Sequence, residues 1–236
     1  MLKLHADVKG IYGYRRMTMN LCRILNKQYN HKRIYRLMKQ GQIQSVIRKK
    51  KRRYTYSTPQ ITAENLLNRE FAAEHPNQKW LTDVTEFKLA TGQKAYLSAI
   101  LDLSDKSIVS YVLSRFNNNP IVFKTFELAV AANPDAKPLF HSDRGFQYTN
   151  RQFKEKLDRI NAVQSMSRFS RCIDNGPMEG FWGIIKSEMF YLDKFYSYKQ
   201  LEKAVDDYIT FYNYERLQKN LKNMTPIEFR NHALSS

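Results

Sequence analysis

The sequence predicts an α/β chain in which a small basic helical region precedes a layered core with element order βββ-α-β-α-β-α-α. Three observations carry this expectation. From Lys79 three β-rich runs, WLTDVTEFKL, AYLSAILDLS and SIVSYVLSRF, follow one another across the short polar breaks ATGQK and Asp105-Lys106, as in an antiparallel meander. Strand-like and helix-like segments then alternate, a pattern that builds α/β layers. The first 60 residues differ in kind, with helical spacing and 16 Lys and Arg against one acid, Asp7.

In chain order, residues 14–41 read as two helices. Thr18 is the expected cap of the first, which carries Leu21, Ile24 and Leu25 at helical spacing. Asn30 is the expected cap of the second, which carries Ile34, Leu37 and Met38 and ends at Gly41. Arg33, Arg36 and Lys39 on that second helix make the pair helix-turn-helix-like. The run VIRKKKRRYTYSTP, with Lys49, Lys50, Lys51, Arg52 and Arg53, reads equally as a tether or as a phosphate-binding arm. Residues 61–75 have a helical, more acidic composition and read as a connector. Beyond the meander, IVFKTFELAVAA is a helix, KPLFHSD a strand and NRQFKEKLDRI a helix beginning near Thr149 or Asn150. AVQSMS is a fifth strand, and IDNGPMEGFWGIIKSEMF and YKQLEKAVDDYITFYNYE are the last helices.

The formal charge is +17, of which residues 1–60 carry +15 and residues 61–236, with 23 basic and 21 acidic residues, only +2. Such asymmetry points to a polyanionic partner. Cys22 and Cys172 have no partners at metal-ligand spacing, so neither a disulfide framework nor a zinc site is expected, and a reduced cytoplasmic setting fits. No apolar run approaches a membrane span and no signal-peptide core is visible.

Three acids stand out. Asp83 lies in a run expected to be largely buried, where acids are rarely left unpaired. Asp143 ends a short apolar strand, and Glu179 follows Pro177 near a helix start. Fifty-nine residues separate the first two and 35 the second two. The order of strands matches the ribonuclease-H-like fold, which gathers the first strand, the fourth strand and a late helix at one end. Two strand carboxylates and a helix carboxylate suit a two-metal phosphodiester site, because Mg²⁺ prefers oxygen ligands and leaves room for water and phosphate. Asn175, four residues before Glu179, and Lys186, seven after it, fall roughly on the same helical face and are expected to contact DNA. Asp102 and Asp105-Lys106, by contrast, read as an ordinary strand end and turn.

These residues carry a resemblance. WLTDVTEF, HSDRGFQYT, the Ser-Met-Ser strand and DNGPMEGFWGIIKSE resemble the DDE transposases of the insertion-sequence 3 family, relatives of retroviral integrases. YGYRRMTMNLCRILNKQYNHKRIYRLMKQ resembles the helix-turn-helix region before their integrase core, and FYNYERLQKNLKNMTPIEF their C-terminal segment, with Leu217-Gln218 where many relatives have Pro-His. The resemblance implies that Asp83, Asp143 and Glu179 bind two Mg²⁺ (or Mn²⁺) ions and that Lys186 sits on the transposon end. It implies double-stranded DNA as partner, a homo-oligomer on DNA, and an upstream-frame product as fusion partner. The expected division is a basic DNA-binding region at 1–58, a connector at 59–76, a ribonuclease-H-like catalytic core at 77–190 and a C-terminal helical segment at 191–236. A stand-alone ribonuclease-H-type nuclease explains the acids but not the basic quarter. A non-catalytic DNA-binding regulator explains the basic quarter but not the acids.

Overall fold

The computed structural model describes residues 1–47, 64–167 and 172–235; the run Lys49, Lys50, Lys51, Arg52 and Arg53 lies outside the described residues. Helices α1 (Leu2–Asp7), α2 (Tyr14–Ile24) and α3 (His31–Gln40) come first. Strands β1 (Lys79–Lys88), β2 (Lys94–Asp102) and β3 (Ile108–Ser114) follow, then α4 (Asn119–Ala132), β4 (Leu139–Ser142), α5 (Arg151–Arg159) and β5 (Val163–Met166). Helix α6 (Gly176–Ile185) runs into a π-helical turn, Lys186–Phe190, and α7 (Tyr198–Tyr214) and α8 (Pro226–Leu234) complete the order. The core elements therefore follow the predicted βββ-α-β-α-β-α-α sequence.

The five strands form one sheet in the order β3-β2-β1-β4-β5. The β1–β2 and β2–β3 pairs are antiparallel, as a meander requires, and β1–β4 and β4–β5 are parallel. Because side chains alternate across a strand, β1 faces two cores. Trp80, with Ile100 and Phe140, packs beneath α4 and α5 against Phe126, Phe153 and Leu157. Leu81 and Phe87, with Leu97 and Ala99, pack beneath α6 and α7 against Met178, Phe181, Leu201 and Val205. This second core extends through α7, whose Tyr208, Ile209 and Tyr212 are buried in it.

The N-terminal helices close on a small core of their own, built from Met17, Leu21, Ile34 and Met38. Asn30 caps α3 as expected, its side chain accepting from the Lys32 N–H at 2.8 Å. Thr18 is not a cap. Helix α2 begins after Gly13, and the Thr18 hydroxyl instead donates back to the Tyr14 carbonyl at 2.8 Å, a bond available to a threonine within a helix. Ile24 and Leu25, expected on the apolar face, are exposed at the frayed end of α2.

Residues 64–75 are not helical either. The Ser165 hydroxyl on β5 captures the Leu66 and Leu67 N–H groups at 3.0 and 3.1 Å, and Leu67 is buried in the α6–α7 core. A side-chain acceptor from a distant strand thus takes backbone donors that a helix would have used.

Two buried charge clusters bind the periphery to this frame. Glu188, in the π-helical turn, accepts from Arg216 Nε and Nη2 at 2.9 and 2.8 Å and from the Tyr208 hydroxyl at 2.9 Å. It also accepts from Arg16 on α2 at 3.1 Å, while Arg23 on α2 pairs with Glu228 on α8. On the far side, Arg230 of α8 reaches Asp102 at 3.2 Å, Asp105 at 2.8 Å, Asn77 at 2.6 Å and Asn133 at 2.7 Å. Asp102 and Asp105 are wholly buried, so the expected ordinary strand end and turn is instead an anchoring site for α8.

Candidate active site

Asp83 lies midway along β1, on the face that looks toward α6. Leu81 pairs with His141 across the parallel β1–β4 ladder, so Asp83 and Asp143, each two residues further on, stand level at the end of β4. Strand β4 is short, and its end directs Asp143 into the turn that leads to α5. The Gly145 N–H donates to Asp143 Oδ1 at 2.8 Å. A Cβ on residue 145 would stand 2.9 Å from that oxygen, so glycine is what allows the turn to wrap the carboxylate. Glu179 enters from the first turn of α6, where Gly176 and Pro177 begin the helix.

The electrostatics link the three. The Asp83 carboxyl is pushed up to about 7, first by burial and then by the charge of Asp143, with a smaller contribution from Glu179. Hydrogen bonds from the Val84 N–H to Oδ1 at 2.7 Å and from Trp182 Nε1 to Oδ2 at 2.9 Å pull the other way. Asp143 opens to solvent, yet surrounding protein strips enough water to raise its carboxyl above the ordinary range, and Glu179 is raised by the same cause. Asp143 acts on the Asp83 carboxyl more strongly than Glu179 does. Among the described residues, no three His, Cys, Asp or Glu side chains are gathered tightly enough to enclose a metal ion. An open carboxylate arrangement remains suited to a hard cation that keeps water and phosphate in its shell.

The other expected site residues are placed as follows. Asn175 is buried just before α6, its amide donating to the Thr82 carbonyl at 3.2 Å, while its Oδ1 has no hydrogen-bond partner. Lys186 is half-buried, donating to Thr85 Oγ1 at 2.6 Å and lying over the Phe87 ring, on the β1 face that also carries Asp83. Arg33 and Arg36 are exposed on α3, away from the small apolar core.

Several contacts around the acids escape the sequence reading. His141 is fully buried and bridges Ser165 of β5 and Ser167 just beyond it, with Nδ1 2.9 Å from Ser165 Oγ and Nε2 3.1 Å from Ser167 Oγ. Ser165 already accepts two N–H groups, so its proton goes to Nδ1 and the imidazole is neutral with its proton on Nε2. Burial agrees, lowering its pKa to about 4. The serines' alternate spacing is the signal that places both on one face. Tyr148 is buried with its hydroxyl 3.2 Å from Thr82 Oγ1, and burial and the nearby acids raise it well above its ordinary pKa, which suits support rather than nucleophilic attack. Gln147 donates to Asn117 at 2.6 Å, joining the Asp143 turn to the loop before α4.

Comparison with known proteins agrees with this architecture. An HTH-like domain family matches residues 1–51, and two integrase core domain families match residues 73–172 and 179–234. The chain is 42% identical over 230 residues to a putative transposase, InsK, of the insertion sequence element IS150 of Escherichia coli, covering 97% of this chain and 81% of that relative. Among solved structures, the simian T-cell lymphotropic virus intasome aligns with a TM-score of 0.58 at 16% identity, over 75% of this chain and 59% of that one. The HTLV-2 integrase catalytic core domain, solved with magnesium, aligns with a TM-score of 0.53 at 21% identity, over 66% of this chain and 97% of that one. These two show a shared fold. The matched domains and the degree of identity show that the chain belongs to the insertion-sequence 3 family of DDE transposases, DNA-joining enzymes related to retroviral integrases.

Proposed function

We propose that Asp83, Asp143 and Glu179 are the catalytic residues of this transposase and that they hold divalent cations, two Mg²⁺ or Mn²⁺ ions, beside the middle of β1 and the end of β4. The observation that carries this reading is Asp83: a half-buried carboxylate held opposite a second acid, with its pKa driven up to about 7. Two carboxylates about 4 Å apart repel by about 4 kcal/mol at an effective dielectric of 20. Oxygen donors in such repulsion favour a hard cation, and the magnesium-bound integrase domain of the same fold supports that choice. A divalent cation at such a site supplies Lewis-acid polarisation of a phosphodiester and of the attacking oxygen.

The residues of the chain do the rest. Gly145 and Trp182 hold the Asp143 and Asp83 carboxylates in place. Lys186 supplies positive charge beside the site for a DNA-end phosphate, and Asn175, expected from the sequence to contact DNA, is buried and instead fixes the β1 backbone next to Asp83. Arg33 and Arg36, with the run Lys49, Lys50, Lys51, Arg52 and Arg53, engage phosphates of double-stranded DNA. The reaction is hydrolytic cleavage at an element end, followed by attack of the freed 3′-hydroxyl on a second phosphodiester. The chain acts as a homo-oligomer on DNA, fused to an upstream-frame product, and takes no zinc. Labelled element ends incubated with Mg²⁺ or Mn²⁺ test this reading: joined products support it, cleavage without joining identifies a nuclease, and binding without either identifies a regulator.

A further inference from the structure

Glu179 is flanked by two residues that reach across to β1, one at the N-cap of α6 and one within it. Asn175, four residues before it, donates to the Thr82 carbonyl at 3.2 Å, and Trp182, three residues after it, donates to Asp83 Oδ2 at 2.9 Å. The start of α6, which presents Glu179, is thus tied to β1 at the Thr82 carbonyl through its N-cap and at the Asp83 carboxylate through Trp182. Trp182 is almost fully buried, at 6% exposure, and its ring packs against Phe181 with centroids 5.2 Å apart. Packing therefore fixes the indole, and the indole N–H is only a donor. Asp83 Oδ1 is already held by the adjacent Val84 N–H at 2.7 Å, so the Trp182 bond immobilises the second oxygen. A carboxylate offers about four lone-pair sites, so each oxygen keeps one free for another partner.

We infer that Trp182 is a positioning residue for Asp83, its indole N–H orienting the carboxylate in advance of the divalent cation and tying that orientation to the helix that carries Glu179. The inference rests on Asp83 being a cation ligand. Removal of a hydrogen bond that orients a metal ligand typically costs about 10–100-fold in metal affinity.

The test uses the full chain and Mg²⁺ or Mn²⁺ alone, by isothermal titration calorimetry, alongside circular dichroism and thermal melting. Two variants remove the N–H: Trp182→Phe, and benzothienylalanine placed at position 182, which keeps the two-ring shape and replaces N–H by sulfur. The expected result is an Mg²⁺ affinity about tenfold weaker in both folded variants, with DNA cleavage shifted toward dependence on Mn²⁺. If the benzothienyl variant binds Mg²⁺ as the unaltered chain does, the positioning role is overturned, even when Trp182→Phe is impaired, because only packing was then lost. Asp83→Asn is titrated in parallel. Loss of binding there with none in the Trp182 variants overturns the positioning role alone. Unchanged binding in Asp83→Asn overturns the ligand assignment and the inference together.

Discussion

Replacing Asp83 by Asn should abolish activity and yet make the metal-free protein more stable above neutral pH. The carboxyl moves from its ordinary 3.8 to about 7 in the folded chain because burial and Asp143 oppose its charge. The folded state therefore keeps a proton that the unfolded chain releases. The associated stability is complete below the unfolded value near 4 and is lost as pH rises through about 7. The full displacement corresponds to about 4 kcal/mol. Asp83 is half-buried rather than sealed, and an effective dielectric near 20 discounts that figure to about 2 kcal/mol. An asparagine carries no charge to oppose; its single oxygen can keep the Trp182 N–H, at the cost of the bond the second carboxylate oxygen accepts from Val84. In EDTA at pH 8, Asp83→Asn should raise the melting temperature by about 4–8 °C for a chain of this size. At pH 5 the folded carboxyl is protonated while the unfolded one is already ionised, so the difference should shrink to about two-fifths of its pH 8 value and vanish only below about pH 4. Strand cleavage and joining should be lost at both pH values. A variant that is destabilised at pH 8, or offset equally at pH 5 and pH 8, would refute the reasoning that Asp83 is a strained carboxylate.

Four further outcomes are expected. Glu188→Gln leaves the buried Arg216 charge uncompensated and should cost about 3–5 kcal/mol in urea unfolding; because Arg216 holds the Glu188 carboxyl below its ordinary range against the opposing effect of burial, the native protein should also lose stability as pH falls through that lowered value. Asp102→Asn should destabilise the fold through Arg230 while leaving cleavage per folded molecule intact, which urea unfolding and active-site-normalised rates will separate. Gly145→Ala places a methyl 2.9 Å from Asp143 Oδ1 and should lower the cleavage rate about tenfold or more with little change in melting temperature. In competition binding at fixed salt, the chain alone should prefer its element ends only modestly over scrambled duplex, and the upstream-frame fusion should prefer them sharply; a roughly thousand-fold preference by the chain alone would show that residues 14–41 read the ends unaided.

The strands were legible because each carries its burial in its own residues: the alternation of β1 and the polar breaks beside it need no distant partner to interpret. The elements that carry Asp83, Asp143 and Glu179 were legible for a related reason, since their order along the chain is the order of the predicted strands and helices. What escaped depended on contacts made across long separations. Residues 64–75 lose their helix to a serine 98 residues away. Asp102 looks like a strand end until Arg230, 128 residues later, reaches it. Trp182 sits among the apolar residues of α6, and its single donor atom finds Asp83 only when α6 crosses β1. Thr18 misled because Gly13 begins α2 without any side-chain signal.

The meeting of Arg16, Arg216 and Tyr208 on Glu188 also limits how this chain can be taken apart. A boundary drawn at the basic run severs the covalent path between reader and core but not this second, non-covalent one. Removing the first 58 residues deletes one of two guanidinium partners of a nearly inaccessible glutamate and uncovers the aromatic surface of Phe211 against which Tyr12 rests. Grafting a foreign reader in its place would have to supply an arginine at the Arg16 position of α2 and a ring at the Tyr12 position as well as the desired recognition helix. The exposed residues of α3, Arg33 and Arg36 among them, can be changed without disturbing this junction, whereas exchange of the whole N-terminal segment cannot.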